Sequence, residues 1–431
     1  MITHELIERI EGEAVLDFKT DKSGHVQEAS IRFLHFRGME AILEGRNALD
    51  ALVIAPRVCG ICGHSHLIAA VRMLENLYAS AGSAVKVTPK AHALREVTRV
   101  CELMQNHIKW LYLVMLHESG KLLGKEPPVA LRALYASSQI NQMSALFSGQ
   151  WPHSSYAHAG GVTCDPTHIE VMQALKLLSD VERFIEKDVL GCKTENFEAN
   201  MDVESLLLME GDFGTLLRYF ERLDLLDLGK SHGRFLVLGE DAHEITPNER
   251  SSAHIDFVSE DDSQTFAHGG KTYAKNALYR GKFYETGPLA RAINTERSGV
   301  SALYQQYGDT ALTRITARID EVVSLIAYVR LLLTSLDLTE SSFIPPVSIE
   351  SISGKGVGVV EAPRGSLIHR ATVEKGKIAS YSIITPTQWN LGNGTYDSPG
   401  IAQKAMLGIE STAKASLIFR TFDVCSVCTT H

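Results

Sequence analysis

Along the first forty residues apolar and polar positions alternate, with Ala14, Leu16 and Phe18 set between Glu13, Val15, Asp17 and Lys19. A period of two places alternate side chains on one face of a strand. Asp21-Lys22-Ser23-Gly24 supplies turn chemistry before a second such run over 26–33. Across 37–228 the period lengthens to that of helices. Thr88-Pro89 is a cap residue followed by proline at the first helical position, and Leu94, Val97, Cys101, Met104, Ile108, Leu111 and Met115 then recur at spacings of three and four. This predicts one long helix with a continuous apolar seam. Asp165-Pro166 predicts another start, with Met172, Leu175, Leu178, Val181 and Ile185 on the inner side. A third helix follows Asp309, its seam formed by Ile315, Ile319, Val322, Ile326, Val329 and Leu333. Helices of this kind bury their seams most simply against one another, as a bundle.

Between 229 and 288 the periodicity fades into Gly, Ser, Asp and His, which reads as loops with short strands. A second β region covers 357–385, where Lys375-Gly376 joins two alternating segments, and a last helix is predicted over 401–415. No internal repeat or low-complexity tract interrupts the chain. The expected fold class is therefore α+β, predominantly α: a central long-helix bundle with small peripheral β-sheets. One domain is expected over 1–431, with a β region at 1–36, a helical core at 37–228 and 288–340, a β region at 355–386, and a terminal helix and motif at 400–431.

Composition narrows the function classes. With 431 residues, 45% of them hydrophobic, the chain is neither disordered nor collagenous. Its 42 basic and 51 acidic side chains leave a net charge of −9, which argues against nucleic acid as the main partner. The acidic cluster Glu260-Asp261-Asp262 reads as a solvated loop. The first residues lack the basic and apolar regions of a signal or transit peptide. The most apolar segment, 322–338, is interrupted by Ser324, Arg330, Thr334, Ser335 and Asp337, so no direct membrane span is expected.

Seven cysteines, an odd number in a long chain, argue against a disulfide scaffold. Their placement says more. Cys59-Gly60-Ile61-Cys62 lies near one end and Cys425-Ser426-Val427-Cys428 at the other. Each CxxC aims two sulfurs at one point, where they can chelate a soft metal or cycle as a dithiol. Four thiolates on one site is the economical reading. Structural zinc is the plain alternative, but zinc ribbons are local knuckles, whereas these pairs must meet across the whole fold. Cys101, Cys164 and Cys192 are isolated and read as small buried hydrophobes.

The flanking residues carry a resemblance to the large subunit of nickel-iron hydrogenases. The RxCGxCxxxH motif of that family is matched from Arg57 to His66, and its DPCxxCxxH motif from Asp423 to His431, except that Val424 replaces proline. Further matches are Arg9-Ile10-Glu11-Gly12, Arg37-Gly38-Met39-Glu40, Glu285-Thr286-Gly287-Pro288-Leu289-Ala290-Arg291, Ala362-Pro363-Arg364-Gly365 and Pro386-Thr387-Gln388-Trp389-Asn390. The resemblance spans nearly the entire chain.

It implies reversible cleavage of dihydrogen to protons and electrons. Cys59 and Cys425 would be terminal nickel ligands, and Cys62 and Cys428 would bridge nickel to an iron that carries carbon monoxide and two cyanides. Arg364, oriented by Asp423, would stand over the open site, where a guanidinium can polarise dihydrogen. Glu11 would take the proton from Cys425. Glu40, His431 and a backbone carbonyl near Ile383 would hold magnesium or iron. His66 would donate a hydrogen bond to a cysteine sulfur, with Arg57, Pro363, Asn106 and His107 also around the centre. Asn106 stands where some members carry aspartate, and His107 is expected to serve packing and hydrogen bonding.

The resemblance also implies maturation proteins and a processing protease, with His431 either the processed end or the genetic one. It implies a cytoplasmic or cytoplasm-facing, membrane-associated location. Three scattered cysteines are too few for a conventional iron-sulfur cluster, so none is expected in this chain and an obligate iron-sulfur small subunit is, as a heterodimer or an assembly built on it. The rival readings are a hydrogen-sensing homologue with little turnover, the quinone-binding subunit of respiratory NADH dehydrogenase, which lacks the four cysteines, and a structural zinc protein.

Overall fold

The computed structural model describes residues 1–10, 12–126, 130–240, 242–247, 249–261, 272–395, 397–425 and 427, the side chains of 8–10 excepted. The expectations for Glu11, Cys428 and His431 lie outside the described residues. The N-terminal alternation forms an antiparallel meander of Ile2–Ile10, Gly12–Thr20 and Val26–Arg32. Leu16, Phe18 and Ile31 are buried as their spacing predicts. Asp17 breaks the alternation by being buried too, and it is neutralised by Arg32, whose Nε and Nη2 donate to its carboxylate at 2.5 and 3.0 Å.

The Pro89–Lys109 helix starts at Thr88, whose hydroxyl accepts from the Ala91 amide at 3.1 Å. It runs on through a wider π turn at Trp110–Met115 into Leu116–Leu122. Every residue of the expected seam, from Leu94 to Met115, is buried. The Ala311–Thr334 helix packs against it with its own seam buried. The Leu131–Ser148 and His168–Phe184 helices extend the bundle.

Two expectations are corrected. The helix placed after Asp165-Pro166 begins at His168, where Thr167 and Glu170 form a capping box; Leu178, Val181 and Ile185 are buried as expected and are joined by Val171 and Ala174, while Met172 is 65% exposed and Leu175 only partly buried. The terminal helix is two, Ile401–Met406 and Thr412–Arg420: Gly408, at φ +76°, ends the first and Ser411 caps the second.

The later β region is a three-stranded antiparallel sheet of Gly354–Ala362, Gly365–Glu374 and Lys377–Ile384. Its first turn is made by Pro363 and Arg364 between the paired Ala362 and Gly365. The Gly63–Ser80 helix lies across the first strand. A Cβ on Gly356 would stand 2.3 Å from the Met73 carbonyl, and one on Gly358 would stand 2.0 Å from that of Ala69. Helix and strand thus touch through backbone, and the helix N-terminus is drawn toward the Pro363-Arg364 turn. Among the described residues no helix is long and apolar enough to cross a membrane.

Gly358→Ala is expected to lower stability by about 2–3 kcal/mol, or to prevent folding, because the clash is with backbone that cannot rotate away. A melting temperature equal to that of the parent chain would show that helix and strand can separate without cost.

Candidate metal centre

The 3-10 turn Ala55–Val58 delivers an extended Cys59, and Cys62 occupies the N-cap of the Gly63–Ser80 helix. The Cys62 amide donates to the Cys59 sulfur at 3.3 Å. From 366 positions away, Cys425 brings its sulfur to 3.7 Å from that of Cys59, while the Cys59 and Cys62 sulfurs are 2.6 Å apart. All three lie within 4.8 Å of one another and are buried. Two thiolates on one tetrahedral ion, each at ~2.3 Å, stand about 3.7 Å apart. The Cys59–Cys425 spacing matches that figure and the Cys59–Cys62 spacing is shorter; the convergence of three buried soft donors suits a metal that prefers sulfur.

Arg37 straps the two thiol-bearing segments together. Its Nη1 donates to the Val58 carbonyl at 2.5 Å and to that of Val427 at 3.4 Å, and its Nη2 to that of Arg57 at 2.9 Å. The side chain of Arg57 itself is exposed and bonds the Val53 carbonyl, because the 3-10 turn points it outward. Only its backbone takes part in the strap.

Arg364 is 5% exposed. Its Nε donates to the Asp423 carbonyl at 3.1 Å, its Nη2 to Asp423 Oδ1 at 3.1 Å, and its Nη1 to Asn106 Oδ1 at 3.4 Å. Burial works against the charge, but Asp423 and the neighbouring thiols hold the guanidinium pKa well above its ordinary value. Asn106 explains itself as an amide, since its Nδ2 donates to the carbonyls of Ile61 at 2.7 Å and Glu102 at 2.8 Å, which no ionised aspartate could do. Asp423 has a positive φ of 59°. Residues before proline favour extended conformations, so Val424 suits this backbone where proline would not. A cavity of about 320 Å³ lined by Ile61, Asn106, Trp110, Arg364, Asp423 and Val424 opens beside the guanidinium.

Behind Asp423 the charges continue. Arg318 Nη1 donates to Asp423 Oδ2 at 3.1 Å and to His107 Nδ1 at 2.9 Å. An arginine only donates, so His107 accepts at Nδ1 and carries its proton on Nε2, which meets Glu321 Oε2 at 2.7 Å. Burial pushes the His107 pKa down to about 4. Burial alone would raise Glu321, but Arg291 and His107 bring it well below the ordinary carboxylate range.

Glu40 and Ile383 also meet, through the Ile383 amide, which donates to Glu40 Oε1 at 2.7 Å. His66 Nδ1 lies 3.0 Å from His369 Nε2, and His369 Nδ1 lies 2.7 Å from the Tyr381 hydroxyl. Pro363 is buried in the turn before Arg364.

Sequence reasoning missed Glu102. Its carboxylate accepts from the amides of His64 at 2.8 Å and Ser65 at 2.9 Å and from the Ser65 hydroxyl at 2.6 Å, anchoring the first turn after Cys62. Burial pushes its pKa up to about 7 against those three donors. The available signal was its place one turn before Asn106 on one helix face. Arg318 and Glu321 were also missed; charges on an otherwise apolar helix were the clue.

A family model described as nickel-dependent hydrogenase matches residues 37–117 and 238–431. The periplasmic nickel-iron-selenium hydrogenase large subunit of Desulfomicrobium baculatum is 24% identical, covering 98% of this chain and 93% of that one. The sulfhydrogenase 1 subunit alpha of Pyrococcus furiosus is 25% identical, covering 100% and 97%. The solved nickel-iron-selenium hydrogenase of D. vulgaris Hildenborough shares the fold over 100% of both chains, with a TM-score of 0.82 at 21% identity.

Between about pH 6.5 and 4 the unfolded chain protonates His107 while the folded one keeps it neutral, so stability falls as pH falls through that window, by up to roughly 3 kcal/mol from this group. His107→Gln is expected to flatten this part of the pH–melting curve. Equal slopes for parent and variant would rule out a neutral His107.

Proposed function

This chain belongs to the nickel-dependent hydrogenase family, and from that premise we propose that it is the catalytic subunit of a nickel-iron hydrogenase, cleaving dihydrogen reversibly into two protons and two electrons. The observation that carries the reading is the convergence of Cys59, Cys62 and Cys425 within 4.8 Å, buried beneath the Arg364 guanidinium.

In this proposal Cys59 and Cys425 would hold nickel, and Cys62 and Cys428 would be shared between it and an iron that would carry carbon monoxide and two cyanides. Bound there, the pair supplies soft, electron-rich metal chemistry suited to heterolysis of dihydrogen. The chain's own residues do the rest. Asp423 holds the Arg364 guanidinium beside the cavity, where a fixed cation stabilises charge that develops during cleavage without solvent reorganisation. The Cys425 sulfur holds the proton and Glu11 carries it away. Glu40 and His431, with the Ile383 carbonyl, would hold magnesium or iron near the C-terminus, and His66 would donate a hydrogen bond to a cysteine sulfur.

The electrons leave this chain for an iron-sulfur small subunit, its obligate partner in a heterodimer or larger assembly, and the chain itself holds no iron-sulfur cluster. Maturation proteins load the centre, and a protease that trims the C-terminus belongs to the same scheme. We place the complex in the cytoplasm or on the cytoplasmic side of a membrane.

Purified with its small subunit, the complex is expected to contain nickel and iron, to show carbonyl and cyanide infrared bands, and to reduce dyes with dihydrogen. Zinc as the sole metal would overturn the reading, and bands without dye reduction would make the protein a sensor. Cys425→Ser is expected to lose nickel and activity together. Arg364→Lys should keep the metals and lose about a hundredfold or more in turnover; undiminished turnover would remove Arg364 from the reaction.

A further inference from the structure

The segment Glu285–Arg291 has no part in the proton or metal chemistry above, yet it encloses the turn that carries Arg364. Gly287, at φ +117°, lies so close that a Cβ there would stand 2.8 Å from the Arg364 carbonyl. The Thr286 hydroxyl accepts from the Ser366 amide at 2.8 Å. Asn390 joins the two, accepting from the Thr286 amide at 2.9 Å and donating to the Arg364 carbonyl at 3.5 Å.

Arg291 reaches furthest. Its Nη1 donates to the Ala362 carbonyl at 3.0 Å and its Nη2 to that of Pro363 at 3.3 Å, the two carbonyls immediately before Arg364. The same guanidinium grips Glu321, Nε to Oε1 at 2.6 Å and Nη2 to Oε2 at 2.8 Å. Glu321 meets His107, His107 meets Arg318, Arg318 meets Asp423, and Asp423 holds the guanidinium of Arg364. The path therefore closes on itself. It leaves Arg364 by its side chain and returns by its backbone, crossing the Pro89–Lys109 and Ala311–Thr334 helices on the way.

Resting on the functional reading above, we propose that Arg291 is a positioning residue for the reaction: through this closed ring it sets where the Arg364 guanidinium stands over the thiols. The ring fixes both ends of Arg364 against one another, so neither the turn nor the guanidinium can shift alone. The direction of each hydrogen bond is decided within the ring. Three arginines only donate, Asp423 and Glu321 only accept, and His107 is left one tautomer that serves both its neighbours. Such a ring cannot pass a proton along without deprotonating an arginine. It acts as a rigid mount. Arg291 Nη1 also donates to Glu361 Oε2 at 3.0 Å, and lysine at 291 keeps the charge but cannot span two carbonyls and two carboxylates at once.

A double-mutant cycle on the assembled heterodimer tests this with Arg291→Lys, Arg364→Lys and the pair. Arg291→Lys is expected to cost about ten- to a hundredfold in hydrogen-dependent dye reduction in the native background, a loss typical of a misplaced catalytic group. In the Arg364→Lys background it should cost less than about threefold, because there is no longer a guanidinium to misplace. The infrared bands should move likewise: shifted by Arg291→Lys alone, and unchanged when it is added to Arg364→Lys. Equal losses in both backgrounds, or no loss in either, would overturn the proposal. Should Arg291→Lys fail to fold, Glu321→Gln opens the ring from its far side and goes through the same cycle. Nickel content separates the two readings: a parent complex without nickel sinks the functional reading itself, whereas a nickel-loaded complex with additive losses sinks only the ring.

Discussion

A guanidinium buried beside thiolates has to be held and neutralised at once, and much of this structure is organised around that demand. Removing an arginine from water costs several kcal/mol unless its charge is matched and its donors are used. Arg364 meets both conditions through Asp423, which accepts at a carboxylate oxygen and at its own carbonyl. Asp423 is shared with Arg318, so the balance has to be continued outward, through His107 and Glu321 to Arg291. Each ion on this path would be costly to bury alone, and the neutral His107 bridges Arg318 to Glu321. The pairing of opposite charges, with that neutral bridge between them, is what allows the whole set to lie inside the protein.

The thiols impose a second demand, that two segments from opposite ends of the chain stay in register. Arg37 ties their carbonyls together, and Glu102 and Asn106 tie the first segment to the long Pro89–Lys109 helix. The close contact at Gly356 and Gly358 then sets the thiol-bearing helix against the sheet whose first turn presents Arg364. Backbone packed on backbone leaves little freedom for that distance to drift, which suits a site whose groups must stay within tenths of an ångström. The π turn at Trp110–Met115 lies where this helix lines the cavity, a common place for such an irregularity.

Much of the architecture was legible as periodicity. The seams from Leu94 to Met115 and from Ile315 to Leu333 predicted which helix faces are buried, because burial of apolar surface acts through the same 3.6-residue repeat that the sequence displays. Legibility failed at Met172 and Leu175, which stand one position off Val171 and Ala174, the residues that continue the buried face of Leu178, Val181 and Ile185, and where Gly408 divided one helix into two. Asp17 looked like a solvent-facing residue, since its pairing with Arg32 comes from a neighbouring strand.

By itself the sequence determined the residue types and spacings: two CxxC pairs, an arginine in a short turn, and long helices with apolar seams. Those are local properties, written within a few residues of one another. The meeting of Cys59 with Cys425 and the pairing of Asp423 with Arg364 were expected from the motifs and are found; only the tertiary structure decided that Arg291, Glu321, His107 and Arg318 form the mount behind them. Such contacts join residues tens to hundreds of positions apart. Whether a charge ends up exposed or buried with a partner depends on which segments the fold packs around it, and no local spacing records that.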